Sequence, residues 1–179
     1  PQILFRRSPV DRSARWDAVL ARFPEIAVSD PLWRSEGPGD WASIVPTRED
    51  VALLANVVAH SDVVINVGST MAMDFAAFDK PAIFIAYDPP VRDGHWSFEN
   101  IYRLPHFKTT HQLQPVHWAR GRDELAAVVM HALEHPAEKA EARRRWLHLH
   151  VEQPMDQASR RLSEALRALA AGERRAGAA

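Results

Sequence analysis

The sequence predicts an α/β fold, a Rossmann-like doubly wound parallel sheet with helices on both faces, and three observations predict it. Short apolar runs at 3–5, 26–28, 62–67 and 82–86 alternate with stretches of helical period. The run at 62–67 is apolar almost throughout and rich in β-branched residues, as a strand covered on both faces must be. It passes through Gly68-Ser69-Thr70 straight into a helical pattern, the strand, turn and helix of a right-handed βαβ unit.

In chain order, residues 3–5 form a first strand, with Arg6-Arg7-Ser8-Pro9 at its carboxyl end. Asp11 or Ser13 can cap a helix in which Trp16, Val19, Leu20 and Phe23 recur at helical spacing before Pro24 ends it. Residues 26–28 are a second strand, and 30–46, rich in Pro, Gly and Trp, are expected as a long loop. Thr47 and Asp50 resemble a capping box and open a helix with Val51, Leu54, Ala55 and Val58 inward. After the strand at 62–67, Ser69 or Thr70 caps a helix whose Met71, Phe75 and Phe78 face the sheet, with Asp74 one turn in. Residues 82–86, after Asp79-Lys80-Pro81, are the next parallel strand.

Between 89 and 118 no period is clear, and His95, Glu99, Asn100, Tyr102, His106 and His111 among aromatic residues suit a site loop. A short strand at 116–119 precedes a helix capped by Asp123 and carrying Leu125, Val128, Val129 and Leu133, which Pro136 ends. Residues 137–151 read as a helix whose Arg143-Arg144-Arg145 run is a solvated face. A final helix puts Ala158, Leu162, Ala165, Leu166 and Leu169 on one face and stops at Gly172. The expected organisation is one Rossmann-like domain over 1–171 and a flexible tail over 172–179. Pro1 stands where an initiator Met would, with a strand almost at once, which predicts a chain cut from something longer.

Composition narrows the partners. The 179 residues are 46% apolar and 25% charged, enough for one sizeable core. Lys+Arg number 22 against 23 for Asp+Glu, so no global field recruits nucleic acid or an anionic membrane, and none is expected as a nucleic-acid partner. The absence of cysteine excludes disulfides, thiolate metal sites and a cysteine nucleophile. No apolar run has the length of a membrane span and no secretory signal opens the chain, so a cytoplasmic setting is expected, with peripheral membrane association left open.

In open parallel sheets ligands collect outside the carboxyl ends of the strands. Three such ends carry Arg6-Arg7-Ser8, Gly68-Ser69-Thr70 and Tyr87-Asp88, a cation, an anion hole and a carboxylate for one edge. The first N–H groups of a helix lack internal partners and, with the helix dipole, receive phosphate. Asp74 could accept hydrogen bonds from a ribose, and Thr47, Asp88 and Glu99 are candidate sugar or base contacts. The same turn can serve only to turn and cap, so an interaction module that transforms nothing stays open. Asn66-Val67 at the central strand's end offers no phosphoryl acceptor. No carboxylate cluster has metal spacing and His148 and His150 diverge on a helix, so no metal is expected. Trp33, Trp41 and Trp96 read as packing residues.

The run Val63-Val-Ile-Asn-Val-Gly-Ser-Thr-Met-Ala-Met-Asp-Phe-Ala-Ala-Phe-Asp-Lys-Pro81 resembles the donor-binding segment in the carboxyl-terminal domain of GT-B glycosyltransferases. The layout is similar to that of capsule and cell-surface polysaccharide glycosyltransferases, sugar epimerases and CDP-glycerol glycerophosphotransferases. Tyr102-Arg-Leu-Pro-His106 and the Asp123-Glu-Leu helix match downstream, and Arg6-Arg7-Ser8-Pro9 resembles a basic motif more often written Arg-Pro-His-Pro. The resemblance implies a nucleotide diphosphate-sugar as donor substrate, no other cofactor, no metal, and a missing amino-terminal Rossmann-like domain facing the acceptor. It implies that Gly68, Ser69 and Thr70 hold the diphosphate, Asp74 the ribose, and Arg6 or Arg7 the leaving nucleotide's charge. His106, near the donor sugar, and Arg7 would be the catalytic groups. A nucleotide-sugar epimerase would instead need acids such as Asp88, Asp93 and Glu99 around the sugar.

Overall fold

The computed structural model describes residues 1–11, 13–37, 43–90 and 97–172, and the chain divides into two compact units, Pro1–His60 and Ser61–Ala179. Trp41, Asp93, His95, Trp96 and the tail 173–179 lie outside the described residues.

The first unit opens with β1 (Leu4–Arg6), a 3-10 turn (Ala14–Trp16), α1 (Asp17–Arg22) and β2 (Ala27–Ser29). β2 runs parallel to β1 with Leu4 opposite Ala27 and Arg6 opposite Ser29, the expected βαβ connection. Asp11 organises the entry to the helix, accepting from the Ser13 amide and hydroxyl and from the Trp16 indole.

The stretch expected as a loop holds a ladder instead: β3 (Trp33–Ser35) pairs antiparallel with β4 (Ile44–Pro46), Trp33 opposite Pro46. All three residues of β3 are exposed, so it lacks the alternation that marks a strand in sequence. α2 (Arg48–His60) starts where the capping signal places it, the Thr47 hydroxyl accepting the Asp50 N–H at 3.1 Å. Its inward row differs from expectation. Val51 and Ala55 are exposed, while Asp50, Leu54, Val57 and Val58 turn inward, because the buried Asp50 carboxylate accepts from Arg6 and the Leu32 N–H and so fixes the helix's rotation.

In the second unit β5 (Val64–Asn66), β6 (Ala82–Ile85) and β7 (His117–Ala119) form a parallel sheet in the order β5-β6-β7. Val64 lies opposite Ala82, and Ile85 opposite Ala119. Helices cover both faces. α3 (Met71–Ala77) packs on β5 and β6, and α6 (Leu125–Glu134) on β6 and β7. Ile83, Ala119 and Ala132 are buried on the α6 side with Leu125, Val128 and Val129.

On the other face Phe84 meets Trp118, Tyr102 of α4 (Phe98–Tyr102) and Phe107 of α5 (Pro105–Leu113), at centroid distances of 5.6, 5.2 and 5.7 Å. Each buried ring contributes about 2–3 kcal/mol through apolar area. α7 (Ala140–His150) packs on α3 and α5 with Trp146 fully buried, and α8 (Ala158–Ala170) follows.

The architecture is therefore mixed α/β with a three-stranded parallel sheet. The described strands form three separate small sheets, not one continuous doubly wound sheet. Further expectations are corrected in the second unit. Phe78 is exposed and leaves the α3 stripe to Met71 and Phe75. The described part of 89–118 carries two helices. Glu124, not Asp123, closes the entry to α6, its carboxylate taking the N–H groups of Arg120 and Gly121. Arg143, expected on a solvated face, is 1% exposed. Leu162, Leu166 and Leu169 share one face of α8 as expected, but that face is exposed. Among the described residues no helix is long and apolar enough to cross a membrane.

Candidate functional site

At the carboxyl end of β5 the chain turns through Gly68 at φ +57°, the left-handed region that favours glycine. A Cβ there would lie 2.2 Å from Ile101 Cγ2 and 3.2 Å from Tyr102 Cε1, so α4 closes over the turn and leaves no room for a side chain. Asn66 then braces the loop, its Oδ1 accepting the Ser69 N–H at 2.9 Å. The Ser69 hydroxyl accepts the Met71 N–H at 3.2 Å and so acts as the cap. Thr70 is exposed and makes no capping bond. Asn66 Nδ2 is buried beside the same turn without a hydrogen-bond partner.

Tyr102 ties this turn to the next strand by donating its hydroxyl to the Ile85 carbonyl at 2.8 Å. Burial pushes the phenol well above its ordinary pKa, opposed in part by a backbone hydrogen bond from Gly68. Asp74 is exposed as a residue, yet the protein packed around its carboxylate desolvates it and raises its pKa. Asp88 accepts from the Ser97 hydroxyl at 3.0 Å and the Phe98 N–H at 2.8 Å, which makes it a brace for α4. Glu99, in the first turn of α4, pairs with Arg103 at 3.2 Å on the surface.

His106 lies half-buried on α5, its ring 4.2 Å from that of Phe107. It is close enough to His150 that its charge, after desolvation, helps lower the His150 pKa. His150 Nε2 meets the Thr109 hydroxyl at 2.9 Å, and the Trp146 indole donates to the same hydroxyl at 3.1 Å. His106 thus borders the packing of α5 on α7.

The predicted cations are engaged within the first unit. Arg6 Nη2 reaches Asp50 Oδ1 at 2.7 Å, and Arg6 Nη1 reaches the Ser29 hydroxyl at 3.3 Å. Arg7 Nη2 binds Asp17 at 2.8 Å, while its Nε stands 3.3 Å from Asp30 without an aligned hydrogen bond. The hydrogen bond to Asp17 raises the Arg7 pKa further. Thr47, a candidate base contact, is occupied as the cap of α2.

A second cluster escaped the sequence reading. His117 at the start of β7, His131 on α6 and Glu138 after α6 line an open depression of about 580 Å³, together with Arg120, Glu124 and Lys139. One ring nitrogen from each histidine and one Glu138 oxygen all lie within 4.8 Å of one another. His117 is 6% exposed, and its Nε2 is buried without a partner. Burial, followed by the charge of Lys139, lowers its pKa to about 4, so its ring is neutral at neutral pH. His131 Nε2 hydrogen-bonds the Glu138 carboxylate, the main cause of that carboxylate's lowered pKa.

No protein-family model matches the chain, and no curated protein or solved structure matches it either.

Proposed function

We propose that the chain is a GT-B-type donor-binding domain, holding a nucleotide diphosphate-sugar at the Gly68 turn within a glycosyltransferase whose second domain faces the acceptor. In this reading the three-stranded sheet is part of a doubly wound half. The observation that carries it is Asn66 Nδ2, a buried donor without an acceptor beside a left-handed glycine turn at the carboxyl end of a parallel strand. A phosphate or sugar oxygen would satisfy that donor. Because Arg6 and Arg7 pair with carboxylates of their own unit, stabilisation of the departing diphosphate falls to donors of the turn, without a metal. Catalytic roles for His106 and Arg7 rest on the resemblance alone.

The test is calorimetric and thermal-shift titration of the full-length protein with UDP, CDP, GDP, ADP and CMP. Asn66→Asp keeps the oxygen that braces Ser69 and removes the free donor. The reading expects saturable stabilisation by one nucleotide, lost in Asn66→Asp and weakened in Asp74→Ala. No response to any nucleotide overturns it.

A second reading, a module that transforms nothing, draws on the N–H groups of Ser69 and Met71 already having acceptors inside the turn. It expects a flat titration together with a large loss of stability in Gly68→Ala.

A further inference from the structure

We propose that His117, His131 and Glu138 form a site for one divalent transition-metal ion, with zinc the best-suited ion and a fourth position open to the depression they line. The three residues come from three different segments: a strand start, the last turn of α6 and the connection to α7. Their ligand atoms nevertheless converge to within 4.8 Å of one another. Ligands of a tetrahedral zinc ion, at about 2.0–2.2 Å from the metal, stand roughly 3.3 Å apart, so a small readjustment in which the metal replaces the His131–Glu138 hydrogen bond completes the set.

The independent observation is His117 Nε2, a buried ring nitrogen without a partner. A buried polar atom left unpaired is costly, and a group bound in the depression would relieve that cost. Two imidazoles and one carboxylate without thiolate suit zinc, with cobalt and nickel as substitutes, and do not suit calcium or magnesium, which prefer all-oxygen sets.

The surroundings hold the ligands and limit what else binds. Arg143 Nη2 donates to the Pro136 carbonyl at 2.8 Å, fixing the chain two residues before Glu138. Arg120 and Lys139 line the same depression, where their charges oppose a bare cation but favour an anion or hydroxide in its open position. Glu124 and Glu138 supply the compensating negative charge. The site lies wholly in the second unit and does not depend on the nucleotide reading.

The test uses the full chain, stripped with chelator and titrated with Zn²⁺ by calorimetry and with Co²⁺ by visible absorption. One ion per chain is expected, with the intense Co²⁺ bands of a low-coordinate site and a Tm that rises with Zn²⁺ concentration. His131→Ala and Glu138→Gln change exposed residues, and each should weaken binding about tenfold or more. His135→Ala serves as control. Its ring lies 4.7 Å from that of His131, but it is not one of the three ligands, and its variant should bind as the parent does. Absence of saturable binding, or equal affinity in His131→Ala, Glu138→Gln and the parent, overturns the proposal.

Discussion

Arg6 Nη2 sits 2.7 Å from Asp50 Oδ1, and both side chains are nearly out of solvent, at 10% and 3% exposed. Asp50 also takes the Leu32 N–H at 2.6 Å and the Trp33 indole at 2.7 Å, so one carboxylate joins β1, the start of the β3–β4 ladder and α2. Asp50→Ala leaves Arg6 as a buried charge without its partner, which costs about 3–5 kcal/mol. Urea unfolding followed by Trp fluorescence measures the loss, and a change below about 1 kcal/mol contradicts this role for Asp50.

The same carboxylate sets an acid limit. Desolvation works to raise its pKa, but the hydrogen bonds from Leu32, Arg6 and Trp33 prevail and hold it below the ordinary 3.8. Between the folded and unfolded values the unfolded chain binds more protons. The contribution is therefore fully present above about pH 4 and is lost as pH falls through the folded value. Unfolding titrations from pH 6 downward should show a steeper acid loss in the parent than in Asp50→Asn. Parallel slopes would show that Asp50 does not carry it.

Gly68→Ala meets two obstacles, a left-handed φ and a side-chain contact at 2.2 Å. Backbone strain and overpacking together cost about 2–5 kcal/mol. Ile101→Ala removes the Cγ2 that stands in the way, so the two substitutions should be less than additive in a double-mutant cycle. Strict additivity would mean that α4 does not press on the turn.

Arg143 donates to the Asp79 carboxylate at 3.0 Å, the Asp79 carbonyl at 2.9 Å and the Pro136 carbonyl at 2.8 Å. Asp79→Asn keeps an oxygen facing Arg143 but leaves that buried guanidinium without its countercharge, and should cost about 1–2 kcal/mol, less than loss of the arginine because both carbonyl contacts remain. Arg143→Leu strands two carbonyl acceptors and should cost about 2–4 kcal/mol. Chemical unfolding of the two variants in parallel checks the order, and the reverse order would make the ion pair the stronger contact.

Local signals were legible where one or two neighbours suffice. Thr47 caps α2 through an atom three residues away, and the Gly68 turn follows from a conformation that few other residues tolerate. The two helices within 89–118 also had signals, Ser97 as cap of α4 and Pro105 as the first residue of α5, but aromatic and polar crowding concealed the period. What sequence spacing could not give is the identity of distant partners. Asp50 read as a capping residue because Arg6 lies 44 positions away, and Arg143 read as one of three solvated arginines because Asp79 lies 64 away. A clue existed for Arg143, which stands three and four residues before Trp146 and Leu147 on the buried side of α7. His131 and Glu138 stand seven apart, a helical spacing, but α6 ends at Glu134 and His117 lies in another segment, so only the packing of α6 on β7 assembles the three.

The bond from Arg143 to Asp79 also has a consequence for how the chain is made. Asp79 leaves the ribosome 64 residues before Arg143, a delay of roughly 3–13 s at ordinary elongation rates. For most of that interval β5, α3 and β6 are outside the tunnel while the helix that carries Trp146 is still within it or not yet synthesised. The nascent second unit therefore exposes the apolar surface of α3 until α7 emerges, and a stalled or truncated product ending before Ala140 is the form most open to chaperones and proteases.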